Sequence, residues 1–164
     1  MSTAKNRIVL DQERKSLFPD GTSVITSAVS FNQGDLLVFD DTNNRLKVPA
    51  AEAEGSTFVG IAIVTVVSGK LKSPYVTDVD ASAGASGLPG PVYAVVAKLI
   101  AKTADAFNPG DPVYLYPAGG AQYVSSTGTK QIGVYQGDVV ASATAGQEIL
   151  VKLGCRHPGD VYQG

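Results

Sequence analysis

This sequence predicts an all-β fold assembled from two similar strand–turn–strand modules. Three observations predict it. β-Branched, partly alternating runs recur along the chain between clusters of turn-forming residues. Helical periodicity is poor throughout, and only Ala50–Gly55 suits a single helical turn. Finally, one phrase occurs twice: Phe31-Asn32-Gln33-Gly34-Asp35-Leu36-Leu37-Val38-Phe39 returns as Phe107-Asn108-Pro109-Gly110-Asp111-Pro112-Val113-Tyr114-Leu115, an offset of 76 (107 minus 31).

Taken in order, residues 1–20 form an N-terminal arm. It is rich in mixed charge, carries one short strand at Arg7–Leu10, and ends in the turn signal Phe18-Pro19-Asp20-Gly21. Residues 21–154 form the β domain, with repeats over 22–77 and 92–153. Within the first repeat, Ser23–Ser30 reads as a strand. Leu36–Phe39 and Arg45–Val48 read as a hairpin closed by Asp40-Asp41-Thr42-Asn43-Asn44. Phe58–Val67 is one long Val/Ile/Thr run, too β-branched for a helix. Residues 78–91, DVDASAGASGLPGP, read as a small-residue linker or long mobile loop. Strands follow at Val92–Lys102, Val113–Tyr116, Gln122–Ser125, Gln131–Tyr135, Asp138–Ala141 and Gln147–Leu153. The 155–164 segment is a polar tail.

The repeated phrase has a mechanical reading. Gly34 and Gly110 give a sharp turn its backbone freedom. Asp35 and Asp111 accept hydrogen bonds from nearby amides and close it. Phe31 and Phe107, ahead of the turn, join the apolar run behind it in a core. The offset also places Val48 on Val124, and Phe58-Val59-Gly60-Ile61 is echoed by Gln131-Ile132-Gly133-Val134 after a three-residue shift. Two copies are too few for a solenoid, and each unit alone would be marginally stable, so the copies fuse into one barrel or sandwich.

Composition narrows the function. Lys and Arg number 13 against 15 Asp and Glu, which leaves no basic footprint for nucleic acid and no polybasic membrane patch. The N-terminal MSTAKNRIVLDQERKS lacks the apolar run of a signal peptide, and Val92–Ala101 is too short to span a bilayer. A chain of 164 residues buries roughly two-thirds of its unfolded surface and needs no disulfide or metal. Nor could the single Cys155 make an internal disulfide.

Catalytic chemistry finds no foothold. The one histidine, His157, stands two residues from Cys155 in a Gly/Pro-rich tail, a poor scaffold for a catalytic pair. Asp78-Val79-Asp80 lacks the further acidic positions of a calcium loop. Gly84, Gly87 and Gly90 do not join a strand to a helix as a phosphate loop does. The seven tyrosines lie mostly in strand runs, where they serve cross-strand packing better than sugar stacking. The expectation is a non-enzymatic chain without cofactor or metal.

The F-N-x-G-D phrases, the V-G-I and I-G-V phrases, the Gly/Ala-rich β composition and the charged arm together resemble the decoration, or cement, proteins of tailed-bacteriophage capsids. That resemblance spans most of residues 22–153. It implies a β-barrel or β-tulip and a position on the capsid exterior of a virion assembled in the host cytoplasm. The partners it implies are the major capsid protein, whose neighbouring subunits are bridged, and other copies of the chain, as a homotrimer or else a dimer. The arm, through Arg7, Ile8, Val9 and Leu10, is then expected to lie along a partner's sheet edge. The alternative is a lectin-like or adhesin β-sandwich binding module on a virion or cell surface.

Overall fold

In the computed structural model the described residues are 6–10, 13–16, 29–43, 45–62, 65–71, 79–80, 89–93 and 96–154. Their regular structure is strand, apart from one 3-10 turn. A first sheet of five strands has the order β2 (Glu13–Ser16), β9 (Pro89–Tyr93), β5 (Phe58–Ile61), β3 (Leu36–Asp40), β4 (Arg45–Lys47). A second sheet of six has the order β1 (Arg7–Leu10), β10 (Val96–Ile100), β14 (Glu148–Leu153), β13 (Gln131–Tyr135), β11 (Pro112–Ala118), β12 (Ala121–Ser125). Every ladder in both is antiparallel. A small third sheet joins β6 (Val66–Val67), β7 (Lys70–Leu71) and β8 (Val79–Asp80). No described helix is long and apolar enough to cross a membrane.

The two large sheets are copies of one design. Reading β2, β9, β5, β3, β4 against β10, β14, β13, β11, β12 matches strand to strand, and β1 is the one addition. Even the irregularities repeat: the register slips between Leu37 and Val38 where β3 meets β5, and between Val113 and Tyr114 where β11 meets β13. A constant offset of 76 first fails at the hairpin. Phe39 pairs Leu46 while Leu115 pairs Val124, so Val124 corresponds to Leu46 and not to Val48. The second hairpin is two residues longer, closing through Gly119-Gly120.

Several strands differ from the sequence expectation. Phe58–Val67 is two strands, β5 and β6, in different sheets. Ala62 exchanges hydrogen bonds with the 31–35 turn, and the chain then moves on to bridge Val66 to Phe31. Val92–Lys102 divides likewise between β9 and β10. Asp138–Ala141 is not a strand but touches the fold through one bridge, Val140 to Phe107. The 78–91 segment carries strand at 79–80 and from 89 onward, so β9 belongs to the first module's sheet. Among the described residues no closed barrel forms: Ala101, just past β10, bridges Val124 of β12, and Lys102 N–H reaches the Val124 carbonyl at 2.8 Å, but the ladder stops there. Of Ser23–Ser30, all but the last two residues lie outside the described residues, as do the turn signal at Phe18-Pro19-Asp20-Gly21, Cys155 and His157.

Burial explains why the repeated strands differ in composition. Leu36 and Val38 enter a large cluster with Leu99, Leu115, Ile132 and Val151 from the second sheet and Phe107 from the turn ahead of β11. Leu37, with Phe39 against it, joins a smaller cluster holding Val29, Phe31, Leu46, Val59 and Val66. Both faces of β3 are covered, so its apolar run is continuous, LLVF. On β11 only Val113 and Leu115 are buried, while Pro112, Tyr114 and Tyr116 are half-buried, which gives strict alternation.

Between β4 and β5 a 3-10 turn, Glu52–Thr57, is pinned at its start by Glu54. That carboxylate accepts the Ala50 N–H at 2.6 Å, the Ala51 N–H at 3.1 Å and the Lys47 ammonium. Burial pushes the Glu54 pKa up, but the Lys47 pair and the two amides outweigh it and hold it below the usual 4.5. A depressed carboxylate contributes stability above its unfolded pKa and loses it as pH falls through the folded one. Glu54→Gln is therefore expected to cost roughly 1 kcal/mol at neutral pH. The gap to the unsubstituted chain should close on acidification below about pH 4. Denaturant titrations across that range check both statements.

Candidate interaction surface

The two F-N-x-G-D segments fold into turns with the same hydrogen bonds. Asn32 N–H donates to the Asp35 carboxylate at 2.7 Å, and Asn108 N–H to the Asp111 carboxylate at 2.7 Å. Asp35 N–H returns to the Asn32 carbonyl, and Asp111 N–H to the Asn108 carbonyl, both at 3.0 Å. Gly34 N–H reaches the Ala62 carbonyl and Gly110 N–H the Tyr135 carbonyl, at 2.8 and 3.0 Å. Phe31 and Phe107 each exchange a backbone pair, with Val66 and Val140 respectively. Gly34 sits at φ 90° and Gly110 at φ 92°, where a Cβ is strained. Phe31 and Phe107 are buried, and Phe107 lies against the Tyr135 ring with centroids 5.5 Å apart. Phe31, Gly34 and Asp35 are thus gathered in one turn, and Phe107, Gly110 and Asp111 in the other.

The surroundings of the two turns differ, and that difference defines the candidate surface. Over the first turn lies Asn6. Its carboxamide oxygen accepts the Ile100 N–H at 2.9 Å, and its carbonyl oxygen would stand 2.4 Å from a Cβ at Gly34. Gln122 completes this seam, its side-chain oxygen accepting the Leu36 N–H. Asn6, Gln33, Asp35, Ile100, Gln122 and Tyr123 line a cleft of about 250 Å³ there, whose Asn6 and Gln122 amides are already engaged within the chain. Over the second turn nothing described comes within 4 Å of a Cβ at Gly110.

Arg7, Ile8, Val9 and Leu10, read from sequence as an arm for a partner, form β1 and pair with β10 of their own chain, Arg7 opposite Lys98 and Ile8 opposite Ala97. Glu13–Ser16, read as part of the same arm, pairs with β9. The first twenty residues therefore supply terminal strands to both large sheets.

Elsewhere, the polar groups serve the fold. Asp105 accepts the Ser125 hydroxyl at 2.6 Å and the Ser126 N–H at 3.0 Å. Tyr135 donates its hydroxyl to the Asp138 carbonyl, and burial, followed by the Asp138 charge, raises its pKa. Among the described residues no three His, Cys, Asp or Glu side chains gather where they could hold a metal. Comparison of this chain with protein-family models, with curated proteins and with solved structures returns no match.

Sequence reasoning missed Asn6 and Gln122. One signal was present. The second copy carries Pro109 and Pro112 where the first has Gln33 and Leu36. Each proline removes an N–H, so the acceptors that serve Gln33 and Leu36 have no counterpart to serve.

Proposed function

We propose that this chain is a non-enzymatic structural protein that binds the outer surface of a tailed-phage capsid and stabilises it by bridging neighbouring major capsid protein subunits. In this reading it acts as a homotrimer and its sheets form a β-tulip-like body. The observation that carries the reading is the duplication of an entire five-stranded module within one chain, in which the phrases resembling cement proteins build the repeated turns. A bridging protein must present related surfaces to related neighbours, and two rigid copies supply them with little ordering cost on docking. The terminal position of β1 in its sheet gives Arg7–Leu10 a part, since a partner strand can extend that edge through backbone hydrogen bonds. Modest contacts repeated over a shell sum through multivalency.

Sedimentation of the purified chain with capsid shells lacking it, and thermal challenge of those shells, test the proposal. The expected results are saturable binding and a higher shell disruption temperature, with a trimer mass by light scattering or by crosslinking on particles. Absence of shell binding, or binding to a glycan array in its place, overturns it.

A further inference from the structure

The repeat shows which side of each module faces inward. Leu37, Leu46 and Val59 of the first module stand, by ladder register, where Val113, Val124 and Ile132 stand in the second. The first three belong to the small cluster and the second three to the large one, so each set fills its own module's inner side. The first module's other side, its back, carries Leu36, Val38, Phe58 and Ile61, all at most 1% exposed. These four join the large cluster, together with Leu115 and Ile132 of the second module's inner side. The 3-10 turn ahead of Phe58 does likewise, since a Cβ at Gly55 would stand 2.9 Å from the Lys130 Cβ and 3.7 Å from the Ile132 Cγ2. Within the chain the modules are thus joined head to tail, the back of the first on the inner side of the second.

A head-to-tail contact uses different surfaces on its two sides, so it leaves one unused half on each module. On the back of the second module, Pro112, Tyr114, Gln131 and Val134 are the register counterparts of Leu36, Val38, Phe58 and Ile61. All four are half-buried where those of the first module are buried. Three of them keep an apolar or aromatic body, and tyrosine is enriched at protein contacts. On the inner side of the first module Phe39 is half-buried, where its counterpart Leu115 is 2% exposed. Thr57, the counterpart of Lys130 at the contact within the chain, is half-buried as well. Five of these six side chains stand in paired strands, so covering them costs little freedom.

What covers a module's back is seen in the first module: it is the inner side of another module of the same design. We infer that the back of the second module docks on the inner side of the first module of another copy, setting Pro112, Tyr114, Gln131 and Val134 against Phe39 and Thr57. The contact between copies then repeats the contact within one. Head-to-tail contacts that close make rings, and the homotrimer proposed above becomes a ring of six modules, two from each copy. This inference rests on the self-association in that reading, not on capsid binding, and names the surfaces that carry it.

Light scattering over a range of concentrations compares the unsubstituted chain with Val134→Glu and Phe39→Glu. Val67→Glu, at a 43% exposed position of the small third sheet, is the control. Each variant is first shown to keep the same unfolding temperature, and Thr57→Glu replaces Phe39→Glu if the latter does not. Val134→Glu and Phe39→Glu should each weaken self-association about tenfold or more, as loss of a central apolar contact does. Val67→Glu should change it less than about twofold. Mixed together, the two defective variants are expected to form pairs and stop there, because one keeps an intact inner side and the other an intact back. No pairing on mixing, or unweakened association by either variant, overturns the inference. Equal weakening by Val67→Glu overturns it too, since that reports added charge and not a site. A chain that is monomeric both in solution and on shells overturns it while capsid binding stands. A chain that associates through this contact and binds no shell upholds the inference while the capsid reading falls.

Discussion

Phe107→Ala is expected to lower the unfolding free energy by about 3–5 kcal/mol, the range for truncating a fully buried aromatic side chain. Phe107 has no exposed surface and belongs to the cluster that draws from both large sheets. It also supports Tyr135, whose ring lies 5.5 Å away and whose hydroxyl ties down Asp138. The cavity would therefore open where the two modules share their core. Phe31→Ala tests the same position in the first copy. Phe31 retains 4% exposure and packs in the smaller cluster around Leu37, Leu46 and Val59, on the far side of β3 from the shared core. Its loss should cost about 3 kcal/mol, the low end of the range, because a small peripheral cluster can relax around the gap. Urea unfolding of both variants, followed by tyrosine fluorescence, gives the comparison. A cost for Phe107→Ala below about 1 kcal/mol would mean that the two large sheets do not share a core around it.

How much of this was legible in the sequence depends on the range of the force that decides each feature. The F-N-x-G-D turns are legible because their bonds close within four residues, from Asn32 to Asp35 and from Asn108 to Asp111, and because φ near +90° demands glycine. β14 is legible because one face is buried and residues alternate. The break between β5 and β6 is not, since no glycine or proline marks it. The pairing of β5 with the first turn ends at the bond from Ala62 N–H to the Asp35 carbonyl, twenty-seven positions back, and nothing local announces that. The hairpin register was misjudged by two residues because a constant offset ignores loop length. Arg7–Leu10 reads as a strand by composition, but its partner β10 lies some ninety residues on, and nothing local names that partner.

The seat of Asn6 on the first turn yields the second large effect. Gly34→Ala and Gly110→Ala place the same methyl group at nearly the same φ, 90° and 92°, in turns with the same hydrogen bonds. Backbone strain is therefore common to both and should cost about 1–3 kcal/mol. The surroundings are not common. At Gly110 the methyl enters open space among the described residues, whereas at Gly34 it would meet the Asn6 carbonyl oxygen at 2.4 Å, well inside contact distance. Asn6 must then lift, and the Ile100 N–H loses its acceptor at 2.9 Å in a partly buried site. Leaving that donor unsatisfied adds about 1–3 kcal/mol, so Gly34→Ala should exceed Gly110→Ala by that amount. A chain beginning at residue 7 provides the control, because without Asn6 there is no carbonyl to strike. In that background the two substitutions should cost the same within about 0.5 kcal/mol, a coupling that a double-mutant cycle measures directly. Equal costs in the full chain would show that Asn6 does not sit on the turn. An excess that survives truncation would place its cause in the turn itself. Hydrogen exchange at Ile100 separates the cases further, since its amide should be protected in Gly110→Ala and lose protection in Gly34→Ala if Asn6 is what shields it.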